Sequence, residues 1–186
     1  MSENKKAMPN PGALGLLAFG MTTVLLNLHN AGIVPLSIVT VAMGIAMGGL
    51  AQIIAGIFEF KNGNTFGATA FSAYGLFWWS LVLIWVNPFS KTIAAADELS
   101  MGFYLLMWAI FTFAMFIGTL KHNRSSQTVF LTLTILFVLL AAGDFTGSHL
   151  IKTIAGWEGI LCGASAIYAA CGQIINGEFG KKILPL

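Results

Sequence analysis

Charge is what this sequence has least of. Only 9% of its 186 residues are Asp, Glu, Lys or Arg while 57% are hydrophobic, against roughly 25% charged residues in a soluble domain. Too few ionic side chains remain to clothe a water-facing surface, so a soluble globular domain is excluded. Cysteine is nearly missing as well. Cys162 and Cys171 lie nine residues apart on one predicted helix; at about 100° per residue they point to opposite faces and can neither pair nor share a metal. Histidine is confined to His29, His122 and His149 at the ends of apolar segments, with no pair at ligand spacing inside them, so neither haem nor another cofactor is expected. No nucleophile–base pair, phosphate loop or series of intramembrane carboxylates is present, and the chain is not expected to be an enzyme. A net charge of +2 makes no case for nucleic acid.

Long uncharged runs are what the sequence has instead. A bilayer core about 30 Å thick takes about 20 helical residues per crossing. Six stretches of that order occur, near Gly12–Leu28, Leu36–Phe58, Phe66–Val86, Leu99–Leu120, Gln127–Gly143 and Ile154–Ile175, with Glu158 alone well inside a boundary. The expected fold is an all-α integral membrane protein: a segment 1–11, a six-helix domain 12–176 and a tail 177–186. The first stretch runs on to Asn27 with no small-residue cleavage site, so it reads as retained rather than as a signal peptide. Seven of the nine Lys and Arg fall on the side that holds both ends, which places both termini in the cytoplasm and the protein in the cell membrane.

Local signals fit that plan. Asn10 can cap a helix that Pro11 starts, since proline lacks the N–H not needed there. Lys61-Asn62-Gly63-Asn64 before Thr65 reads as a turn followed by a cap. Three helices per half would give two halves of opposite orientation, the plan of many transporters. Leu28-His29-Asn30 and Lys121-His122-Asn123, with Ser72-Ala73-Tyr74 and Ser165-Ala166-Ile167-Tyr168, are weak echoes of such a repeat; chance likeness between apolar segments is the simpler account.

Polar groups inside the spans are the candidates for function, because each costs free energy in hydrocarbon unless it faces protein or water. Phe19, Thr23 and Asn27 share a face of the first helix, and Gln52 and Glu59 share one on the second with Gly48 and Gly56. A narrow polar path and plain interhelical hydrogen bonding both explain them. Thr65, Thr69 and Ser72 recur at helical spacing, but Tyr74 falls about 200° from Ser72. Both cannot line one straight pore: either the hydroxyls bond to neighbouring helices or an irregular start bends them inward. Gly44-x-x-x-Gly48 and Gly159-x-x-x-Gly163 fit close helix packing, and Trp78, Trp79, Trp85 and Trp157 lie toward segment ends, as interface anchors do. Asp144, His149 and Glu158 gather on the outer side, as solvated or mutually paired charges or, less commonly, a metal site.

Asn10-Pro11-Gly12-Ala13-Leu14-Gly15-Leu16 resembles the Asn-Pro-Ala-Pro-Leu-Gly-Leu signature of the acetate uptake transporter, or succinate–acetate permease, family, with Gly12 and Ala13 replacing Ala and the second Pro. The likeness continues through Phe19-Gly20-Met21-Thr22-Thr23, Gly63-Asn64-Thr65-Phe66-Gly67, Phe71-Ser72-Ala73-Tyr74-Gly75, Gly118-Thr119-Leu120-Lys121 and Cys162 to Tyr168, over nearly the whole chain. The resemblance implies a six-helix protomer with its own central pore, assembled as a hexamer in the lipid bilayer and passing acetate and, in some members, succinate. It implies a constriction at Phe19, Tyr74 and Leu133, with Ala166 affecting pore width; Leu133 alone would read as core among Val129, Phe130, Leu136 and Phe137. Asn10, Thr23, Asn27, Gln52, Thr65 and Thr69 complete the expected path. No Lys or Arg lies mid-helix, so a carboxylate would meet only hydroxyls, amides, helix starts and apolar rings and bind weakly, as suits a channel or facilitator. A proton–acetate symporter needs a titratable group, for which Glu59 and Glu158 are the candidates; a non-transporting structural or redox subunit is the remaining alternative.

Overall fold

The structure is a computed structural model that describes residues 9–186; positions 1–8 of the expected amino-terminal segment lie outside the described residues. Among the described residues six helices are long and apolar enough to cross a membrane: α1 (Gly12–Asn30), α2 (Ile38–Lys61), α3 (Thr65–Val86), α4 (Glu98–Lys121, its last turn a 3-10 helix over Thr119–Lys121), α5 (Arg124–Thr146) and α6 (His149–Phe179). Each contains the stretch expected from hydropathy or most of it. The last two extend furthest beyond it, because helix ends reach the watery interface where Arg124, Asp144, Lys152 and Glu178 are tolerated. The boundary expected at residue 176 therefore moves to Phe179.

Asparagines and other short polar residues open the helices. Pro11 has helical dihedrals (φ −75°, ψ −17°), and Asn10 Oδ1 accepts from Gly12 N at 2.9 Å. Asn64, Asp97, Asn123 and Ser148 accept from Gly67, Ser100, Ser126 and Ile151 N–H at 3.1, 2.7, 2.8 and 3.4 Å, satisfying donors that a helix start leaves open. Bonds from the Ser100 backbone and hydroxyl hold the Asp97 carboxyl below the ordinary carboxylate range. Gly63 (φ 72°) makes the α2–α3 turn in a left-handed conformation that other residues resist.

The helices close into a ring in chain order. α1 packs on α2 and α6, α2 on α3, α4 on α5 and α5 on α6, while α3 meets α4 mainly through long side chains. At α1/α6 the backbones nearly touch: a Cβ at Gly20 would sit 2.6 Å from Gly163 O, Gly159 lies against the Asn27 side chain and Gly156 against Ala31. The Gly159-x-x-x-Gly163 pair thus serves packing. The α3/α4 seam is filled by rings instead. Phe77 stacks on Tyr104 with centroids 5.8 Å apart and meets Trp108 edge-on at 5.1 Å, and Ser80 Oγ lies 2.6 Å from Tyr104 Oη. Two inverted halves would make these seams equivalent; they are built in opposite ways.

Within α2, Gly44–Ala51 winds as a π-helix, which hydropathy did not reveal. Side chains meet carbonyls along it: Trp79 Nε1 donates to Ile45 O at 3.1 Å and Gln52 Nε2 to Gly48 O at 2.7 Å. Trp78 corrects the expectation of an interfacial anchor. It is 2% exposed, its ring lying where Cβ atoms at Gly44 and Gly48 would collide with it, so two glycines open a slot for an indole in mid-bundle. After α6 the chain folds back. Asn176 Oδ1 accepts from Ile183 N and Leu184 N at 2.7 and 2.8 Å, and Tyr168 Oη donates to Pro185 O at 2.8 Å.

Candidate pore

Three helix starts and two helix ends surround a cavity of about 410 Å³ on the side where the described chain begins and ends. Asn10 and Gly12 enter it from α1, Gln52 and Glu59 from α2, Asn64 and Gly67 from α3, Asn123 and Ser126 from α5 and Gln173 from α6. The amides are tied to one another: Asn10 Nδ2 donates to Gln173 Oε1 at 2.7 Å, and Asn64 Nδ2 to Glu59 Oε2 at 2.9 Å. Glu59 is 5% exposed, and the turn between α2 and α3 holds it in the wall. No Lys or Arg side chain lines this vestibule among the described residues.

Toward the middle of the bundle the lining becomes apolar, through Leu16, Phe66, Ala70, Phe71 and Phe130. Phe66 meets His122 edge-on at 4.8 Å and Phe130 at 5.2 Å. The vestibule ends at Phe19, Tyr74 and Leu133. These same three residues also line a second, far smaller chamber of about 30 Å³ together with Thr23, Leu26, Asn27, Phe77, Trp78 and Leu136. Phe19 and Tyr74 face each other with centroids 6.1 Å apart at 48°. Tyr74 Oη pairs with Thr112 Oγ1 of α4 at 2.9 Å, which fixes the ring across the bundle axis. One path of two spaces with an apolar waist is the resulting shape.

With that geometry in hand, the known proteins it matches can be compared. The sequence pattern of the GPR1/FUN34/yaaH family matches residues 1–181. The chain belongs to the GPR1/FUN34/yaaH family. It is 51% identical over 179 residues to the succinate-acetate/proton symporter SatP of Escherichia coli strain K12, covering 96% of this chain and 95% of that one. It is 52% identical over 183 residues to an uncharacterized protein of Methanothermobacter thermautotrophicus, covering 95% and 90% of the two chains. A solved structure of the bacterial acetate channel SatP, 51% identical, superposes with a TM-score of 0.94 over 97% of this chain and 99% of that one. The six-helix fold expected from hydropathy is thus the fold of this family.

Not every residue expected to line the path of this GPR1/FUN34/yaaH chain does so. Asn10, Gln52 and Glu59 reach the vestibule, and Thr23 and Asn27 the chamber. Thr65 and Thr69 are exposed on α3 and line neither space. Tyr74 lies nearly opposite Ser72, and Ser72 packs on Gly56 of α2, so the hydroxyl face turns away from the axis that Tyr74 enters. Ala166 is fully buried in the bundle core, outside both spaces. Glu158 also lines neither; both its carboxylate oxygens are buried with no hydrogen-bond partner among the described residues. The outer cluster is not assembled as expected either. Asp144 bonds Lys152 at 2.8 Å, and Lys152 reaches Glu98 at 3.0 Å.

Sequence reasoning missed Asn64, Phe66, Ala70, Phe130, Gln173 and Trp78 as lining residues. A signal existed for some: Phe66, Ala70 and Tyr74 recur every four residues, as do Ser126, Phe130 and, three on, Leu133. Nothing local marks Gln173 or Trp78.

Proposed function

We propose that this protein conducts acetate and other small monocarboxylates, with succinate a further substrate in the same pore, as a channel or facilitator. The observation that carries this reading is the continuous lining: a polar vestibule without fixed cations, an apolar waist at Phe19, Tyr74 and Leu133, and a small chamber beyond. Acetic acid ionises much like a glutamate side chain, near pKa ~4.3, so at pH 7 only about one molecule in five hundred is neutral and able to dissolve across lipid. A protein path therefore matters.

Three helices, α1, α3 and α5, begin at the vestibule, and their positive dipole ends favour an anion by about 0.3–1 kcal/mol each. Asparagine side chains already occupy the first-turn N–H groups, so the pull is diffuse rather than a tight cradle. Weak attraction followed by an apolar waist lets a small acid in and lets it go. The waist requires the acid to shed water, which disfavours bulkier or doubly charged ions. Asn10, Gln52 and Glu59 shape the vestibule in this reading, while Thr65, Thr69 and Ala166 act, if at all, by positioning the helices around it.

Entry of an anion against an inside-negative potential costs about 2.3 kcal/mol per 100 mV, so uptake is driven by consumption of the acid inside the cell. The runner-up is proton–acetate symport, and Glu59 is its better-placed carboxylate because it alone of the two candidates reaches the path. The Lys and Arg distribution supports placing both ends in the cytoplasm, and the family resemblance supports a hexamer in the cell membrane. Uptake of labelled acetate into liposomes tests the proposal. A channel gives flux that follows the acetate gradient alone; flux that appears only under an imposed pH gradient with the potential clamped would establish the symporter, and no flux at all would end the proposal.

A further inference from the structure

Beyond the waist, the chamber of about 30 Å³ holds two polar atoms with nothing to bind. Thr23 and Trp78 both line it. Thr23 is 3% and Trp78 2% exposed, and Thr23 Oγ1 and Trp78 Nε1 are buried without a hydrogen-bond partner among the described residues. Neighbouring polar groups are satisfied: Asn27 Nδ2 donates to Thr23 O at 2.9 Å, Asn27 Oδ1 accepts from Asn30 at 3.0 Å, and Tyr74 has Thr112.

Thr23 is unusual among the helical threonines. Thr22, Thr128, Thr132, Thr134, Thr146 and Thr153 all donate to the carbonyl four residues back, a bond open to any threonine in a helix. Thr23 does not take it. Trp78 differs from its neighbour in the same way, for the Trp79 indole finds Ile45 O while the Trp78 indole finds none. An indole N–H only donates and a hydroxyl can donate, so both atoms call for an acceptor, and buried polar atoms left without one need an explanation.

We propose that the chamber is a subsite for one carboxylate oxygen, bound by the indole N–H of Trp78 and the hydroxyl of Thr23. The inference rests on the pore reading and specifies where beyond the waist the acid is held. The space admits one water-sized group, so a carboxylate places a single oxygen there while its carbon chain stays at Phe19, Tyr74 and Leu133; between passages a water takes its place. The slot formed by Gly44 and Gly48 sets the indole plane, and the π-helical turn around them makes that slot.

Thr23→Val keeps the shape and removes the hydroxyl; Trp78→Phe removes the N–H. Initial rates of labelled acetate uptake into liposomes, measured against acetate concentration, separate binding from throughput. The expected result is a half-saturating concentration about tenfold higher in each variant, as for loss of a hydrogen bond to a charged group, with the maximal rate changed less. An unchanged half-saturating concentration in Thr23→Val overturns the proposal, even if Trp78→Phe fails to fold, and a slower maximal rate alone assigns the chamber to water only. Wild-type vesicles no more permeable than protein-free ones would instead remove the pore reading itself, and the subsite with it.

Discussion

The seam between α1 and α6 and the seam between α3 and α4 do opposite things with the same task of closing a ring. Gly20, Gly156, Gly159 and Gly163 bring two backbones together so closely that no side chain fits between them. Phe77, Tyr104, Trp108 and Tyr74 hold two helices apart with rings and a pair of hydroxyl bonds. A backbone contact has no rotamers to change, whereas a ring-filled interface can re-pack at a cost of a few contacts. The fixed side of the pore is therefore the glycine side, and Tyr74, one of the three waist residues, stands on the adjustable side.

The hardest test of that contrast is Gly163→Leu, which drives a side chain into Gly20 O and Val24. Overpacking of this kind costs about 1–3 kcal/mol or more, and with backbone as the obstacle the upper end or complete loss of folded protein is expected; an unchanged melting temperature in detergent would show the seam to be soft. Next in size comes the waist. Leu133→Ala should cost about 2–5 kcal/mol of stability as a buried truncation and raise the succinate-to-acetate flux ratio about tenfold or more; an unaltered ratio, with Phe19→Ala equally silent, would remove these residues from the constriction.

A smaller effect is expected on the adjustable side. Tyr74→Phe leaves the ring and deletes its bond to Thr112, worth about 1 kcal/mol, so acetate flux should change severalfold while folding survives. Glu98→Gln, which weakens the Lys152 bridge on the far rim, should cost about 0.2–1 kcal/mol and fade as salt is raised in a thermal-melt series; a larger loss would make the rim part of the frame.

How much of this was readable beforehand depends on the range of the cause. The spans were legible because burial in lipid acts on every residue of a run, and Asn10, Asn64 and Asn123 because a cap is made within three residues. Thr23 and Asn27 fall on the chamber as their spacing with Phe19 suggested. Thr65 and Thr69 do not reach the path, since a helix that turns Tyr74 inward turns them outward. Trp78 was misjudged because its place is set by Gly44 and Gly48 on another helix, and no window of one helix contains that information. Gln173 entered the vestibule unannounced for the same reason, through its partner Asn10 at the opposite end of the chain.

The π-helical turn in α2 has a consequence for chain length. Such a turn spreads its hydrogen bonds over one residue more than an α-helix does. Deleting a single residue between Gly44 and Ala51 would let the segment rewind as ordinary helix and leave the hydropathy of the span almost untouched, yet swing everything after it by about 100°. Gln52 and Glu59 would leave the vestibule together, so the protein would remain a well-inserted bundle with its lining rewritten.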